Sequence, residues 1–207
     1  MTENETRRQL VDFGRSLFER GFAAGGAGNL SARLENGCFL VTPTNSCLGR
    51  LSEDRLSLLD ANGKLLEGDM PSKEQFLHAG VYAVRNDCGA VVHLHSTCLT
   101  ALSCLKGLNA QDAIEPFTPY YVMRIGALPV IPYYRPGDVA MVPEIQRCLK
   151  NGTAVLMANH GVTVIGKNLV EAVNNAEELE ETAKLFFLLK GCQVNYLAGE
   201  QVAELRS

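Results

Sequence analysis

The sequence has no C-x-x-C pair, no block of basic residues and no apolar run long enough to span a bilayer. Each absence excludes something. Seven cysteines, at 38, 47, 88, 98, 104, 148 and 192, are odd in number and unpaired by motif. They read as reduced thiols rather than a disulfide framework. A net charge of −4 with no basic cluster argues against nucleic acid or an anionic membrane as partner, and leaves room for a small anionic substrate. Met1 to Arg8 carries no signal-peptide core, so the expected location is cytoplasmic. There is no internal repeat, low-complexity segment or linker. The expectation is one domain over residues 1–207, long enough to bury a full core, with an ordinary 46% hydrophobic and 20% charged composition.

Histidine is also scarce, with four in the chain, yet two fall in the short apolar run Ala90-Val91-Val92-His93-Leu94-His95. Such a run behind Gly89 predicts a buried strand, on which residues two apart share a face. Two imidazoles on one rigid face are half of a zinc site, or else two core histidines hydrogen-bonded to neighbours. The motif alone leaves both readings open.

The remaining chain supplies a scaffold and a few further polar groups. An amphipathic helix is expected from about Glu5 to Ala23, followed by the glycine-rich turn Ala24 to Ser31. Such a turn either lets backbone N–H groups approach an anion or simply reverses the chain. Leu30–Leu34 and Cys38–Val41 predict a hairpin about Asn36-Gly37. Thr42 to Ser46 is dense in hydroxyls, with Asn45 able to take positive φ. Ser72 and Gln75 form a capping-box pattern that starts a helix near Lys73 and sets Glu74 in its first turn. His78, on that helix, reads as a packed histidine and not a ligand. Ser96–Leu105 predicts a helix; Tyr120–Gly126 and Pro129–Tyr133 predict strands; Asp138 caps a helix to Lys150. Thr153–Ala158 and Val162–Ile165 predict strands flanking Asn159-His160-Gly161, and Asn168 and Glu171 cap the longest helix, to about Leu189. A short terminal helix follows Asn195.

His93, His95 and His160 therefore all sit on or at the ends of strands that must share one sheet. Three imidazoles with an open position form a catalytic arrangement, with Glu74 as a fourth group. Gly28-Asn29-Leu30-Ser31, Thr42-Pro43-Thr44, Pro71-Ser72-Lys73-Glu74, His93-Leu94-His95 and Asn159-His160-Gly161 stand in the order and spacing of the class II aldolase/adducin family, and the resemblance covers nearly the whole chain. Within it, the segments Pro71–Glu74, Val92–Thr97, Pro132–Asp138 and Asn174–Lys184 resemble the 3-oxo-tetronate 4-phosphate decarboxylase branch.

The resemblance implies an α/β fold, a three-layer α/β/α class II aldolase-like domain with a mostly antiparallel central sheet. It implies a homotetramer with sites at subunit interfaces and one Zn²⁺ per subunit, held by His93, His95 and His160. Glu74 would be the catalytic proton acceptor/donor and would also ligate the metal without substrate. Gly28, Asn29, Thr44, Asn45, Ser72 and Lys73 match the positions that bind the substrate phosphate. Asn45 stands where aldolase members carry glycine, and Lys73 where they carry serine. Arg135 is a candidate contact for the substrate carboxylate, or a plain turn residue.

The implied reaction is zinc-dependent decarboxylation of a phosphorylated sugar acid, 3-oxo-tetronate 4-phosphate, to dihydroxyacetone phosphate and CO₂ through an enediolate. A class II aldolase or epimerase acting on a phosphorylated sugar such as L-fuculose 1-phosphate is the alternative, since it forms the same kind of enediolate. A non-catalytic interaction module like the adducin head is a third, and would be marked by missing metal ligands.

Overall fold

The computed structural model describes residues 2–206. Its frame is one sheet of eight strands: β1 Asn29–Arg33, β2 Phe39–Val41, β3 Ser57–Leu59, β4 Leu65–Glu67, β5 Ala90–Leu94, β6 Val130–Ile131, β7 Ala154–Met157 and β8 Gly161–Gly166. The spatial order is β4-β3-β2-β1-β5-β8-β7-β6, and every pairing is antiparallel except β6 with β7. This is the mostly antiparallel three-layer arrangement that the family resemblance implied.

The helices are α1 Glu3–Glu19, α2 Gln75–Val84, α3 Thr97–Ser103, α4 Val142–Leu149, α5 Leu169–Leu188 and α6 Gly199–Leu205. Strand alternation sorts them into layers. Ala90, Val92 and Leu94 face one way, into a core with Leu10 and Leu17 of α1, Leu99 and Leu102 of α3, and Ala172, Val173 and Leu179 of α5. Val91 faces the other way, with Val155 and Ile165, against Leu77 and Val81 of α2 and Ile145 and Leu149 of α4. Most of these side chains are almost fully buried, each contributing roughly 1.5–3 kcal/mol of transfer free energy. His93 lies on the α2 side, two residues from Val91, and that placement decides where the polar site forms.

Three expectations are corrected. Tyr120–Gly126 is not a strand: Tyr121–Ile125 is a π-helical turn, with Tyr121, Val122 and Ile125 buried and the Tyr121 hydroxyl bonded to Asp112. The strand expected over Pro129–Tyr133 shrinks to Val130–Ile131. The Ser72 capping box does not form: α2 starts at Gln75 with Glu74 at the N-cap, because an isolated bridge between Pro43 and Pro71 and a turn from Ser72 O to Gln75 N hold the chain non-helical. Elsewhere the ends shift by a few residues, as at α1 and α3. Asp138 caps a 3₁₀ turn, Val139–Met141, that leads into α4. Asn168 caps α5 through Glu171 N (2.9 Å), while the Glu171 carboxylate takes Lys167 N (3.0 Å) rather than closing the box on Asn168. All seven cysteines are free, and among the described residues no helix is long and apolar enough to cross a membrane.

Candidate metal centre and active site

Strand pairing assembles the site. Asn29 of β1 pairs with His93 of β5, and His93 pairs with Thr163 of β8. The turn from β7 to β8 therefore delivers His160 to the same end of the sheet. That turn needs Asn159 in the left-handed region, at φ 56°, a conformation asparagine tolerates. It also needs Gly161, because a Cβ there would lie 2.4 Å from the Leu94 carbonyl oxygen. β5 ends at Leu94, so His95 stands just past the strand and not on it. Its ring nevertheless turns back to the cluster, with His95 Nε2 and His93 Nε2 3.0 Å apart.

The three rings pack edge to face, with centroids 4.7–5.0 Å apart. Glu74, at the N-cap of α2, enters from above, its Oε2 3.3 Å from His93 Nε2 and its Oε1 3.4 Å from His160 Nε2. One donor atom from each of Glu74, His93, His95 and His160 lies within 4.8 Å of the other three. The sequence-derived quartet is thus gathered in space.

Two observations test whether this quartet suits a divalent cation. His93 Nδ1 lies 3.0 Å from the Val162 carbonyl oxygen, which can only accept, so the ring proton sits on Nδ1 and the Nε2 lone pair faces the cluster. Glu74 Oε1 and His160 Nε2 are buried and have no hydrogen-bond partner, which is costly unless an ion completes them. The electrostatics agree. Burial, with His93 beside them, pushes His95 and His160 down to about 4, leaving both rings neutral with lone pairs available. Burial alone would raise the Glu74 carboxyl, but the imidazoles of His93 and His160 and the amide of Asn29 outweigh it and hold the group well below the usual carboxylate range. Three imidazoles and one carboxylate fit a zinc-type ion.

Around the quartet, three loops lie side by side. Thr44 N donates to Met70 O, Ser72 N donates to Thr42 O, and Gly26 abuts Ser46 O. Gly28, at φ 83°, brings the glycine turn against the His93 carbonyl. Asn45 has φ 55°, the conformation expected of it. Thr44 and Asn45 line a cavity of about 240 Å³ with Ser46, Arg50 and Arg55. Ser72 is buried and its hydroxyl accepts from Glu74 N at 3.3 Å; Lys73 is exposed beside it. Asn29 is the exception. Its amide is committed to Glu74 Oε2 (3.1 Å) and His78 Nε2 (2.5 Å), so its side chain serves the carboxylate rather than the loop. Arg135 is exposed in the segment after Ile131, whose carbonyl accepts from Ala158 N next to the His160 turn.

Sequence reading took His78 only as a packed histidine, which it is, and missed Glu180. His78 is fully buried and hydrogen-bonded between Ser31 and Asn29. The available signal was complementary spacing, with Asn29 and Ser31 two apart on a strand, and His78 and Tyr82 four apart on a helix. Glu180 of α5 accepts from Ser96 Oγ (2.6 Å), Cys98 N (2.8 Å) and Leu99 N (2.9 Å), anchoring the chain immediately after His95.

Comparison with known proteins places this geometry. The chain is 55% identical over 207 residues to the 3-oxo-tetronate 4-phosphate decarboxylase of Haemophilus influenzae, covering 100% of this chain and 99% of that protein. The crystal structure of YgbL from Klebsiella pneumoniae superposes with a TM-score of 0.98 at 51% identity, covering both chains fully (100% and 100%). A structure of L-fuculose 1-phosphate aldolase matches with a TM-score of 0.87 at 29% identity over 97% of this chain and 94% of that one. The family model described as class II aldolase and adducin N-terminal domain matches residues 8–187. The chain belongs to the class II aldolase and adducin N-terminal domain family.

Proposed function

We propose that this chain is a metal-dependent carbon–carbon lyase that decarboxylates 3-oxo-tetronate 4-phosphate to dihydroxyacetone phosphate and CO₂. The convergence of Glu74 on three imidazoles carries the reading. It is supported by the 55% identity, over the full chain, to a relative of that name. His93, His95 and His160, joined by Glu74 when substrate is away, would hold a single Zn²⁺ per subunit. Bound there, the ion supplies Lewis-acid stabilisation of the negative charge left when the C–C bond breaks.

The residues do the rest. Backbone N–H groups near Gly28, with Thr44, Asn45, Ser72 and Lys73, grip the phosphate and hold the reacting end in register. The bond between the carboxylate carbon and C2 breaks, its electron pair passes into the C3 carbonyl, and Glu74, ionised at rest, takes up a proton from water and delivers it to C2. Oε1, which has no hydrogen-bond partner, is the atom free to carry that proton. Lys73, Arg135 or both offset the substrate's carboxylate. K73A, R135A or both should raise KM for the tetronate more than for a sugar phosphate that lacks a carboxylate; equal effects on the two substrates in both variants would remove this assignment.

The same reading takes residues 1–207 as one domain, working in the cytoplasm as a homotetramer. A substrate panel tests the activity: 3-oxo-tetronate 4-phosphates against fuculose and ribulose phosphates with divalent metal, following dihydroxyacetone phosphate and CO₂ together. Equimolar release from a tetronate is expected. Dihydroxyacetone phosphate without CO₂, from a sugar phosphate alone, would make the chain an aldolase, a reading favoured by the TM-score of 0.87 to L-fuculose 1-phosphate aldolase.

A further inference from the structure

Behind Glu74 runs a line of four buried polar groups that ends in the core. Glu74 Oε2 is 3.1 Å from Asn29 Nδ2, and Asn29 Oδ1 is 2.5 Å from His78 Nε2. His78 Nδ1 is 2.7 Å from Ser31 Oγ, and Ser31 Oγ is 2.7 Å from Tyr82 Oη. The line joins two elements, with Asn29 and Ser31 on β1 and His78 and Tyr82 on α2, whose N-cap is Glu74. His78 and Ser31 have no exposed surface, and Tyr82 has 5%.

Hydrogen-bond chemistry fixes the direction of every link. An ionised carboxylate offers only lone pairs, so Asn29 must present Nδ2 to it. Asn29 Oδ1 then faces His78 and can only accept, which puts the imidazole proton on Nε2. A neutral ring carries one such proton, so Nδ1 accepts, and Ser31 must spend its hydroxyl proton there. The Tyr82 hydroxyl donates to Ser31 in turn. Burial, with His93 nearby, pushes His78 down to about 3, which keeps the ring in this single-proton form. Reversing the Asn29 amide would set two acceptors against each other in a buried place and strand the His78 proton.

We infer that His78 is a positioning residue for the lyase reaction: by donating from Nε2 to Asn29 Oδ1, it locks the Asn29 amide so that Nδ2 holds Glu74 Oε2 and Oε1 stays free toward the reacting centre. Ser31 and Tyr82 set the tautomer that makes the donation possible. The inference rests on the proposed role of Glu74, while His78, Ser31 and Tyr82 themselves lie behind the site.

Two measurements test it. Nitrogen-15 correlation spectra of the metal-loaded wild-type protein, with the His78 signals assigned through H78Q, report the tautomer without any substrate. The proton is expected on Nε2; a proton on Nδ1 overturns the relay whatever the enzyme turns over. Kinetics then compare H78L, which deletes the donor, with H78Q, whose amide nitrogen restores it. H78L is expected to keep its metal content and lose kcat by roughly tenfold to a hundredfold with KM changed less than about threefold, and H78Q to recover most of kcat. Equal losses in both variants, or wild-type kcat in folded H78L, contradict the positioning role. Should H78L not fold, S31A tests the same link: kcat falls and KM holds if the tautomer matters, and neither moves if it does not. Absence of tetronate turnover in wild type, with the Nε2 proton present, would count against the proposed substrate and leave the relay standing. The kinetic comparison then moves to whichever phosphorylated sugar is cleaved.

Discussion

His93 Nδ1 lies 3.0 Å from the carbonyl oxygen of Val162, a residue on the neighbouring strand β8. A backbone acceptor built into the sheet thus decides which nitrogen of His93 is bare. The sheet supplies the same service elsewhere: it pairs Asn29 with His93, and the β7–β8 turn brings His160 alongside. The cluster is therefore as rigid as the strands that carry it, and its properties follow from backbone positions as much as from side chains.

Gly161 is one such position. A Cβ would lie 2.4 Å from the Leu94 carbonyl oxygen and 3.1 Å from His95 Cδ2, so either the β7–β8 turn or β5 must shift. G161A is expected to cost about 1–3 kcal/mol of stability and to weaken metal binding, because the displaced segments carry His160 and His95. Denaturant unfolding and a metal titration check both; an unchanged metal affinity would show that the close approach is only packing.

Glu180 acts from the opposite layer. Its carboxylate takes two backbone N–H groups at the start of α3 and the Ser96 hydroxyl, replacing the helix cap that Ser96 itself does not provide. E180A leaves those donors unmet, and should destabilise the chain by about 2 kcal/mol. For a protein of this size that lowers Tm by roughly 4–8 °C. Calorimetry reads it directly, and a shift under one degree would mean water replaces the carboxylate without penalty.

Acid should act through His78. Its folded-state value is about 3, below the ordinary 6.5, because the ring is fully buried. The unfolded chain takes up the proton first as pH falls, so the stability this neutral ring contributes is complete above 6.5 and is lost progressively toward 3. Between pH 7 and pH 5 the loss is about 2 kcal/mol. Urea unfolding of wild type and H78Q at both pH values isolates it, with the variant expected to show a slope shallower by that amount. Parallel pH profiles would contradict the assignment.

What was legible in the sequence follows from what periodicity carries. The apolar run at residues 90–94, the Asn36-Gly37 turn and the cap at Asn168 are each local signals, and the sheet and α5 formed where they point. Positive φ at Asn45 was signalled by residue type. The π-helical turn at Tyr121–Ile125 was not, because two tyrosines and a valine have strand propensity, whereas the pattern that governs there is burial of positions 121, 122 and 125. The Ser72 box failed for a non-local reason: pairing of Pro71 with Pro43 keeps that segment extended, and nothing within it announces the partner. His78 escaped for the same kind of reason. Its meaning lies in what β1 places against α2, and only the folded chain sets Ser31 and Asn29 at its two nitrogens.

A single cation held by His93, His95, His160 and Glu74 underlies the proposed chemistry, and metal stoichiometry tests that most directly. Purified wild type and H160A, each equilibrated with zinc and freed of excess, are compared by inductively coupled plasma mass spectrometry alongside their unfolding curves. The expectation is one zinc per wild-type chain, little or none in a folded H160A, and loss of lyase activity in step with the metal. Full zinc occupancy in folded H160A, or a wild-type chain that binds none, would contradict it.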